Sequence, residues 1–172
     1  MSNAKAKIKL EIVARDANGV ETGHYVNLND LATKQFAQII QNNILDTAES
    51  VLDTSNTARA LSVNSASTAP TIVAGTGTTA AAVTDYALTT PTSGSSGSVA
   101  ATINAYSGSG TSGSFTVTGT ITNTSGNTIN YSEVGLEVTI ATYTFLITHD
   151  VFTAQGVSNN GTLAITYTIT LS

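Results

Sequence analysis

Residues 163–171 read Leu-Ala-Ile-Thr-Tyr-Thr-Ile-Thr-Leu, so that a large apolar side chain occupies every second position. Successive side chains of a β-strand point to opposite faces of a sheet, and this period of two therefore indicates a strand with one buried face. The preceding Asn159-Asn160-Gly161 is typical of a tight reversal of the chain. The C-terminal stretch thus predicts an antiparallel strand that packs one face against a core.

The same pattern extends upstream through several segments separated by turn residues. Residues 115–121 alternate, a turn follows at residues 123–127, and residues 129–140 alternate with a change of phase that predicts a β-bulge near Ser132-Glu133. Evenly spaced strands of this kind are typical of an antiparallel β-sandwich, which we predict for residues 60–172. We expect ten side chains to be largely buried: Phe115, Val117, Ile121, Leu136, Val138, Phe145, Ile147, Ile165, Tyr167 and Ile169.

The N-terminal third predicts a β-hairpin followed by one helix. Residues 5–14 and 20–26 alternate on either side of an Asn18-Gly19 turn signal. An apolar stripe at helical spacing then predicts a helix over residues 30–43, with Asn29 as N-cap, Asp30 in the first turn and the stripe packed on the hairpin. The predicted fold is mostly β, with an N-terminal attachment or assembly region at residues 1–59 and the sandwich at residues 60–172.

The distribution of charge is uneven along the chain. Residues 60–172 contain no Lys or Arg, and their only carboxylates are Asp85, Glu133, Glu137 and Asp150. The formal net charge of −5 disfavours nucleic-acid binding, because phosphate is repelled. Enzyme sites usually need charged groups in a cleft, so the composition predicts a protein that is not an enzyme and uses no cofactor.

The early lysines are the candidate contact residues for a partner. Lys5, Lys7 and Lys9 alternate and would share one face of a strand. One interpretation is a solvated face or an edge strand guarded by lysines, and the other is docking onto an acidic partner.

Other sequence features narrow the class of protein. The chain has no cysteine, which excludes a disulfide framework and a cysteine metal site. No apolar run approaches the length of a membrane span, and no apolar segment follows the early lysines as in a signal peptide. We therefore expect no membrane association.

Possible phosphate and calcium loops have structural interpretations. Gly75-Thr76-Gly77 lacks the Gly-Lys-Ser/Thr of a phosphate loop, and Asp16-Ala17-Asn18-Gly19 lacks the later ligands of a calcium loop. Both are interpreted as structural turns.

Possible catalytic side chains also have structural interpretations. His149 and Asp150 are neighbours on a predicted strand and would point to opposite faces, so they are interpreted as polar residues at a strand end. Glu133 and Glu137 would lie roughly 13 Å apart at about 3.3 Å per residue, too far for a glycosidase pair, and are interpreted as solvated rim charges. With His24 as the only other histidine, no metal site is predicted.

Three sets of segments together resemble β-rich structural proteins of tailed bacteriophages and related prophages. They are residues 72–79 with 84–88, residues 122–126 leading to 132–136, and residues 149–152 with 159–163 and the closing strand. The resemblance spans residues 53–172 and implies a virion component without catalytic residues, assembled in the host cytoplasm.

The resemblance implies a virion component and is compatible with the capsid surface and with the tail. The function that we expect is a non-enzymatic virion structural protein that decorates or cements a capsid. Its expected partners are the major capsid protein or another virion protein, and a second copy of itself in a homo-oligomer, with a trimer favoured. One alternative is a tail or fibre component that contacts the host. Another is a carbohydrate-binding module, in which some of the six tyrosines would provide stacking faces.

Overall fold

The structure is a computed structural model that describes residues 6–28, 30, 32–45, 50–61, 69–109 and 112–171. It is mostly β, with 58% strand and 8% helix. The strands are β1 Ala6–Arg15, β2 Glu21–Asn27, β3 Ser50–Leu52, β4 Ala58–Ala60, β5 Thr71–Gly75, β6 Ser98–Ala100, β7 Thr102–Ile103, β8 Ser107–Ser109, β9 Ser112–Thr122, β10 Ile129–Ile140, β11 Tyr143–Val157 and β12 Thr162–Leu171. The helix α1 spans Lys34–Leu45, and a 3₁₀ turn spans Gly94–Ser96.

Two antiparallel sheets form a β-sandwich, which confirms the predicted fold class. The larger sheet has the order β2-β1-β12-β9-β7, with β8 also paired to β9. The smaller sheet has the order β11-β10-β5-β6, and β3 and β4 form a separate two-stranded sheet. The register of β10 on β11 shifts between Tyr131 and Glu133, which confirms the predicted bulge.

The core lies between the two sheets, and the period of two correctly predicted its members. On β12 the buried side chains are Leu163, Ile165 and Tyr167, while the intervening residues face outward. Seven of the ten predicted core residues are buried: Val117, Ile121, Leu136, Phe145, Ile147, Ile165 and Tyr167. The remaining three, Phe115, Val138 and Ile169, are partly buried and pack against the same core.

Truncation of a central core residue should lower the stability of the whole domain. Ile165 is only 1% exposed and belongs to the main core cluster. We expect Ile165→Ala to lower the free energy of unfolding by about 2–5 kcal/mol, because it removes buried apolar surface and leaves a cavity. Urea unfolding would measure the change. The outward-facing neighbour Thr166 provides the control, since Thr166→Ala should change stability by less than about 0.5 kcal/mol. Equal effects of the two substitutions would contradict the assigned faces.

The N-terminal hairpin is part of the larger sheet. Strand β1 pairs with β12 from Ala6–Leu171 to Arg15–Thr162 and with β2 on its other side. Its inward residues Leu10, Ile12 and Ala14 are fully buried in the main core. The predicted boundary between residues 59 and 60 therefore does not separate two structural units, because strands from both sides of it belong to the same sheet.

The helix begins later than predicted and packs elsewhere. It starts at Lys34, so Asp30 is not in its first turn, and the predicted cap Asn29 lies outside the described residues. The preceding segment instead bonds to strands: Asp30 N donates to Ile8 O, and Thr33 N donates to Ile147 O at 2.9 Å. The helix lies mainly against β11 and β3 rather than on the hairpin. No helix in the described part of the chain could span a membrane.

The Gly/Ser-rich segment at residues 92–98 is held by contacts within the chain. The Tyr131 hydroxyl donates to Ser96 O, and the Ser95 and Ser96 hydroxyls lie 2.9 and 3.2 Å from Thr124 Oγ1. This segment therefore has hydrogen-bond partners within its own chain.

Candidate functional site

The most concentrated group of ionisable side chains lies on the smaller sheet, beneath the long loop that joins β5 to β6. His149 Nδ1 lies 2.7 Å from Asp85 Oδ2, and His149 Nε2 lies 3.1 Å from Glu133 Oε2. Glu133 and His149 come from the paired strands β10 and β11, while Asp85 comes from the loop. We call these three residues the acid–histidine latch, because they connect the loop to the sheet.

Glu133 also holds the loop through its backbone. Its Oε1 accepts hydrogen bonds from Gly77 N at 3.0 Å and Thr90 N at 2.6 Å, and its Oε2 accepts one from Thr89 N at 2.9 Å. The carboxylate is fully buried. A buried charge is tolerated in a protein when it is paired and hydrogen-bonded. His149 and the three backbone amides meet this requirement for Glu133.

The latch shifts the ionisation of its members in opposite directions. Burial disfavours the charged form of His149, but hydrogen bonds to Glu133 and Asp85 outweigh it and raise the pKa of His149. Burial also opposes ionisation of Glu133, but hydrogen bonds from His149 and three backbone amides outweigh it and lower the pKa of Glu133. A protonated imidazole donates through both ring nitrogens, so it satisfies both carboxylates at once.

These shifts define the pH range in which the latch stabilises the fold. The contribution of Glu133 is present above the ordinary glutamate pKa of 4.5 and is lost as the pH falls through its lowered folded value. The contribution of His149 is present below the ordinary histidine pKa of 6.5 and is lost as the pH rises through its raised folded value. The latch therefore stabilises the protein most between these two ordinary values.

The geometry of the latch is that of a structural group. Both nitrogens of His149 are engaged, and its side chain is only 2% exposed. The adjacent Ser132 hydroxyl donates to Gly77 O, so it is not aligned with the imidazole. His149 and Asp150 do point in different directions, as predicted. The strand-end and rim-charge interpretations were wrong for His149 and Glu133, because both are buried within long strands.

The glycine loop at residues 75–77 contacts the carboxylate of Glu133 from the same chain. A Cβ atom added at Gly75 or Gly77 would lie 2.4 or 2.6 Å from Glu133 Oε1. Glycine is therefore required at both positions by the close approach of the Glu133 carboxylate. The loop is a structural element, in line with the prediction from its sequence.

Glu137 is the second carboxylate of β10, and it is not a solvated rim charge either. It is half-buried, and burial raises its pKa to about 7. A raised folded pKa means that the carboxyl is best tolerated when protonated, so stability should fall as the pH rises from about 4.5 to about 7.

Substitution of Glu137 should remove this pH-dependent penalty. We expect Glu137→Gln to raise the free energy of unfolding at pH 8 by on the order of 2–3 kcal/mol and to change it little at pH 4.5. Thermal unfolding at both pH values measures the difference. Glu21→Gln, which changes an exposed carboxylate on β2, is the matched control. An equal effect of Glu137→Gln at both pH values would contradict the assigned cause.

The predicted contact lysines are only partly available to a partner. Lys7 is exposed, whereas Lys9 Nζ lies 2.8 Å from Glu11 Oε2, and Lys5 lies outside the described residues. Hydrogen bonds from Lys9 and His24 lower the pKa of Glu11, so Lys9 is neutralised locally. The edge-strand interpretation was wrong, because β1 lies between β2 and β12. Docking to an acidic partner stays a prediction.

The tyrosines offer little surface for stacking on a sugar. Tyr131 and Tyr167 are fully buried, and Tyr25 packs against Phe152 with ring centroids 5.3 Å apart. Tyr143 is covered by Arg59, whose guanidinium lies 4.0 Å from the ring centroid. Tyr106 is the one tyrosine of the described chain with most of its surface exposed.

Sequence reasoning missed the latch, although one signal was present. Isolated charged residues on strands of an almost uncharged region are candidates for burial, and burial requires partners. The alternation of β10 and β11 places Glu133 and His149 on strands, but only the course of the loop brings Asp85 to them. No set of three or more His, Asp or Glu residues in the described ranges is arranged to hold a metal ion.

Comparisons with protein-family models, curated proteins and solved structures gave no match to this chain.

Proposed function

We propose that this protein is a non-enzymatic structural component of a virion, which decorates or cements a capsid. The proposal rests on one observation. The histidine and carboxylate side chains that could serve in catalysis form structural contacts inside the fold instead. His149, Glu133 and Asp85 are bonded to one another and to backbone, and they leave no nucleophile or open base at the surface of the described latch. Side chains bonded in this way stabilise the fold and are not positioned to act on a substrate.

The outer face of the larger sheet supports an assembly role. It carries a surface of ten residues, which we call the hydroxyl face: Ser114, Thr116, Thr118, Thr120 and Thr122 of β9 paired with Thr170, Thr168, Thr166, Ala164 and Thr162 of β12. These ten residues include nine hydroxyls and no charge. An uncharged surface composed largely of threonine suits close packing against another protein, because no charge has to be desolvated.

The proposed partners are the major capsid protein or another virion protein, together with further copies of this chain. A homo-oligomer, with a trimer favoured, would bury the hydroxyl face that a monomer leaves open. Light scattering coupled to size-exclusion chromatography measures the oligomeric state, and a monomer at all concentrations would contradict self-assembly.

Electron microscopy of purified phage particles tests the proposal. Particles assembled with and without this chain should differ by density on the capsid surface. Thr118→Lys, which places a charge in the hydroxyl face, should reduce incorporation while the protein stays folded. Thr153→Lys, at an exposed position on β11, is the matched control and should be incorporated normally. Absence of the protein from particles would overturn the proposal.

The runner-up is a tail or fibre component, which the same micrographs would identify by density on the tail. A carbohydrate-binding module is the candidate of a different class, and exposed Tyr106 is the observation that favours it. A glycan array separates the two classes, since specific glycan binding that Tyr106→Ala abolishes would favour the binding module.

A further inference from the structure

Two apolar cavities lie beside the helix, away from the acid–histidine latch. The first, which we call the core cavity, has a volume of about 470 Å³ and is lined by strands of both sheets and by Phe36 of α1. The second, which we call the helix cavity, has a volume of about 550 Å³ and is lined by β1, β9, β12, α1 and the segment that leads into α1. The two cavities adjoin, because they share four lining residues: Ile8, Phe36, Phe115 and Ile169.

The core cavity explains why three residues that the sequence pattern predicts in the core are only partly buried. Phe115, Val138 and Ile169 all line this cavity, so part of each apolar side chain faces it rather than other side chains. Protein interiors contain few voids larger than a water molecule, and an apolar cavity of about 150 Å³ already binds small apolar molecules. The volume of the core cavity lies within the roughly 300–1,000 Å³ that is typical of small-molecule sites.

The lining of the core cavity favours an aliphatic ligand. Among the described residues, Thr148 and Tyr167 are the only polar side chains that line it, and no charged side chain does. A charged group placed there would lose its hydration without gaining an ionic partner, whereas each methylene of an aliphatic chain is stabilised by burial. The polar end of a ligand would therefore lie outside the core cavity.

The helix cavity provides a place for that polar end. Its rim is open to solvent, since the lining residues Leu28 and Leu171 are exposed. Lys7 and Asp30 are its charged lining residues in the described chain, and Lys7 is the more exposed of the two. Lys7 forms no ion pair with a described carboxylate, whereas Lys9 is already paired. The ammonium group of Lys7 is therefore available to an anionic head group.

We propose that the two cavities together form a binding site for a single-chain fatty acid. The aliphatic chain occupies the core cavity, and the carboxylate lies in the helix cavity, where it pairs with Lys7. Asp30 lines the same cavity and disfavours head groups of higher negative charge, such as phosphates. The bound chain fills space between the sheets that side chains leave open, so it stabilises the folded state.

Calorimetric titration of the delipidated full chain with laurate, kept below its critical micelle concentration, tests the proposal. We expect saturable binding of one laurate per chain. Laurate at about 100 times its dissociation constant should raise Tm by about 5–10 °C. Octanoate has a shorter chain and should bind at least about tenfold more weakly, because fewer methylenes are buried. The absence of saturable laurate binding would overturn the proposal.

The role of the carboxylate is tested with dodecanol and dodecylamine, which carry a chain of the same length. Both should bind more weakly than laurate, because neither pairs with Lys7. Lys7→Glu should weaken laurate binding roughly threefold to tenfold and change dodecanol binding by less than about twofold. Lys34→Glu, at an exposed lysine that lines neither cavity, is the matched control and should change neither affinity. Tighter binding of dodecylamine than of laurate, or an unchanged laurate affinity in Lys7→Glu, would overturn the assignment of the head group.

Two further substitutions test the position of the aliphatic chain. Val138→Phe enlarges a side chain that lines the core cavity, and Ile169→Trp enlarges one that lines both cavities. Each should weaken laurate binding at least about tenfold, because the enlarged side chain competes for the same space. Unfolding in the absence of laurate shows whether each variant is folded, and an unchanged laurate affinity in a folded variant would overturn the site.

Nuclear Overhauser effects from ¹³C-labelled laurate to methyl groups of the unsubstituted chain test the position independently. We expect them at Ile8 and Ile169, which line both cavities. Effects confined to methyl groups outside the two cavities would place the ligand elsewhere and contradict the site.

Discussion

The fragment of residues 60–172, expressed without the N-terminal hairpin, should be unfolded or aggregated. Strand β12 is paired on both sides, with β1 and with β9, over its whole length. Removal of β1 takes away one complete ladder of backbone hydrogen bonds and the fully buried Leu10, Ile12 and Ala14. Loss of several core side chains at about 2–5 kcal/mol each exceeds the total stability of most domains of this size.

Far-UV circular dichroism and digestion by thermolysin would measure this effect. Trypsin is uninformative, because residues 60–172 contain no Lys or Arg. Co-expression of residues 1–59 with residues 60–172 is the control, and it should restore protease resistance by supplying β1 and β2 in trans. The exposed edge of β12 should otherwise promote aggregation. A fragment that resists thermolysin as well as the full chain would show that residues 60–172 fold autonomously.

Loss of the Glu133 charge should have the second large effect. We expect Glu133→Gln to lower the free energy of unfolding by about 3–5 kcal/mol, because it leaves a buried His149 with one carboxylate partner and places an amide donor against backbone donors. Urea unfolding at pH 5.5, within the range where the latch stabilises most, measures the change.

Hydrogen exchange identifies the affected region. The amides of Gly77, Thr89 and Thr90 donate to Glu133 and should lose protection in Glu133→Gln, whereas amides in the paired strands β1 and β12 should keep it. The exposed carboxylate variant Glu21→Gln should change stability by less than about 0.5 kcal/mol. If Glu133→Gln were equally mild, the latch would not stabilise the loop.

The sequence pattern predicted the helix correctly but placed its start four residues too early. The apolar stripe predicted a helix over residues 30–43, and a helix is present at Lys34–Leu45. The backbone amides of Asp30 and Thr33 donate instead to carbonyls of β1 and β11. These strands thereby hold the segment that was predicted to form the first helical turn. Nothing in the helical pattern reports these bonds, because they depend on strands distant in sequence.

The candidate site was predictable only in part. The scarcity of charge in residues 60–172 made Asp85, Glu133 and His149 notable, yet each was interpreted separately. The alternation of residues along a strand predicts the face of the sheet to which each side chain points. It does not predict which segment of the chain covers that face. The loop that covers Glu133 determines whether the carboxylate is a solvated charge or a buried anchor.

The sequence by itself predicted the long alternating strands, the bulge near Glu133 and the inward faces of β9 and β12, because the pleat of a strand makes burial a local property of alternate residues. Only the tertiary structure decided that β1 is an interior strand of its sheet, that Asp85 meets His149, and that Asp150 bonds to Asn27. These contacts join residues far apart in the chain. They depend on strand order and on the paths of loops, which no local period of apolar residues encodes.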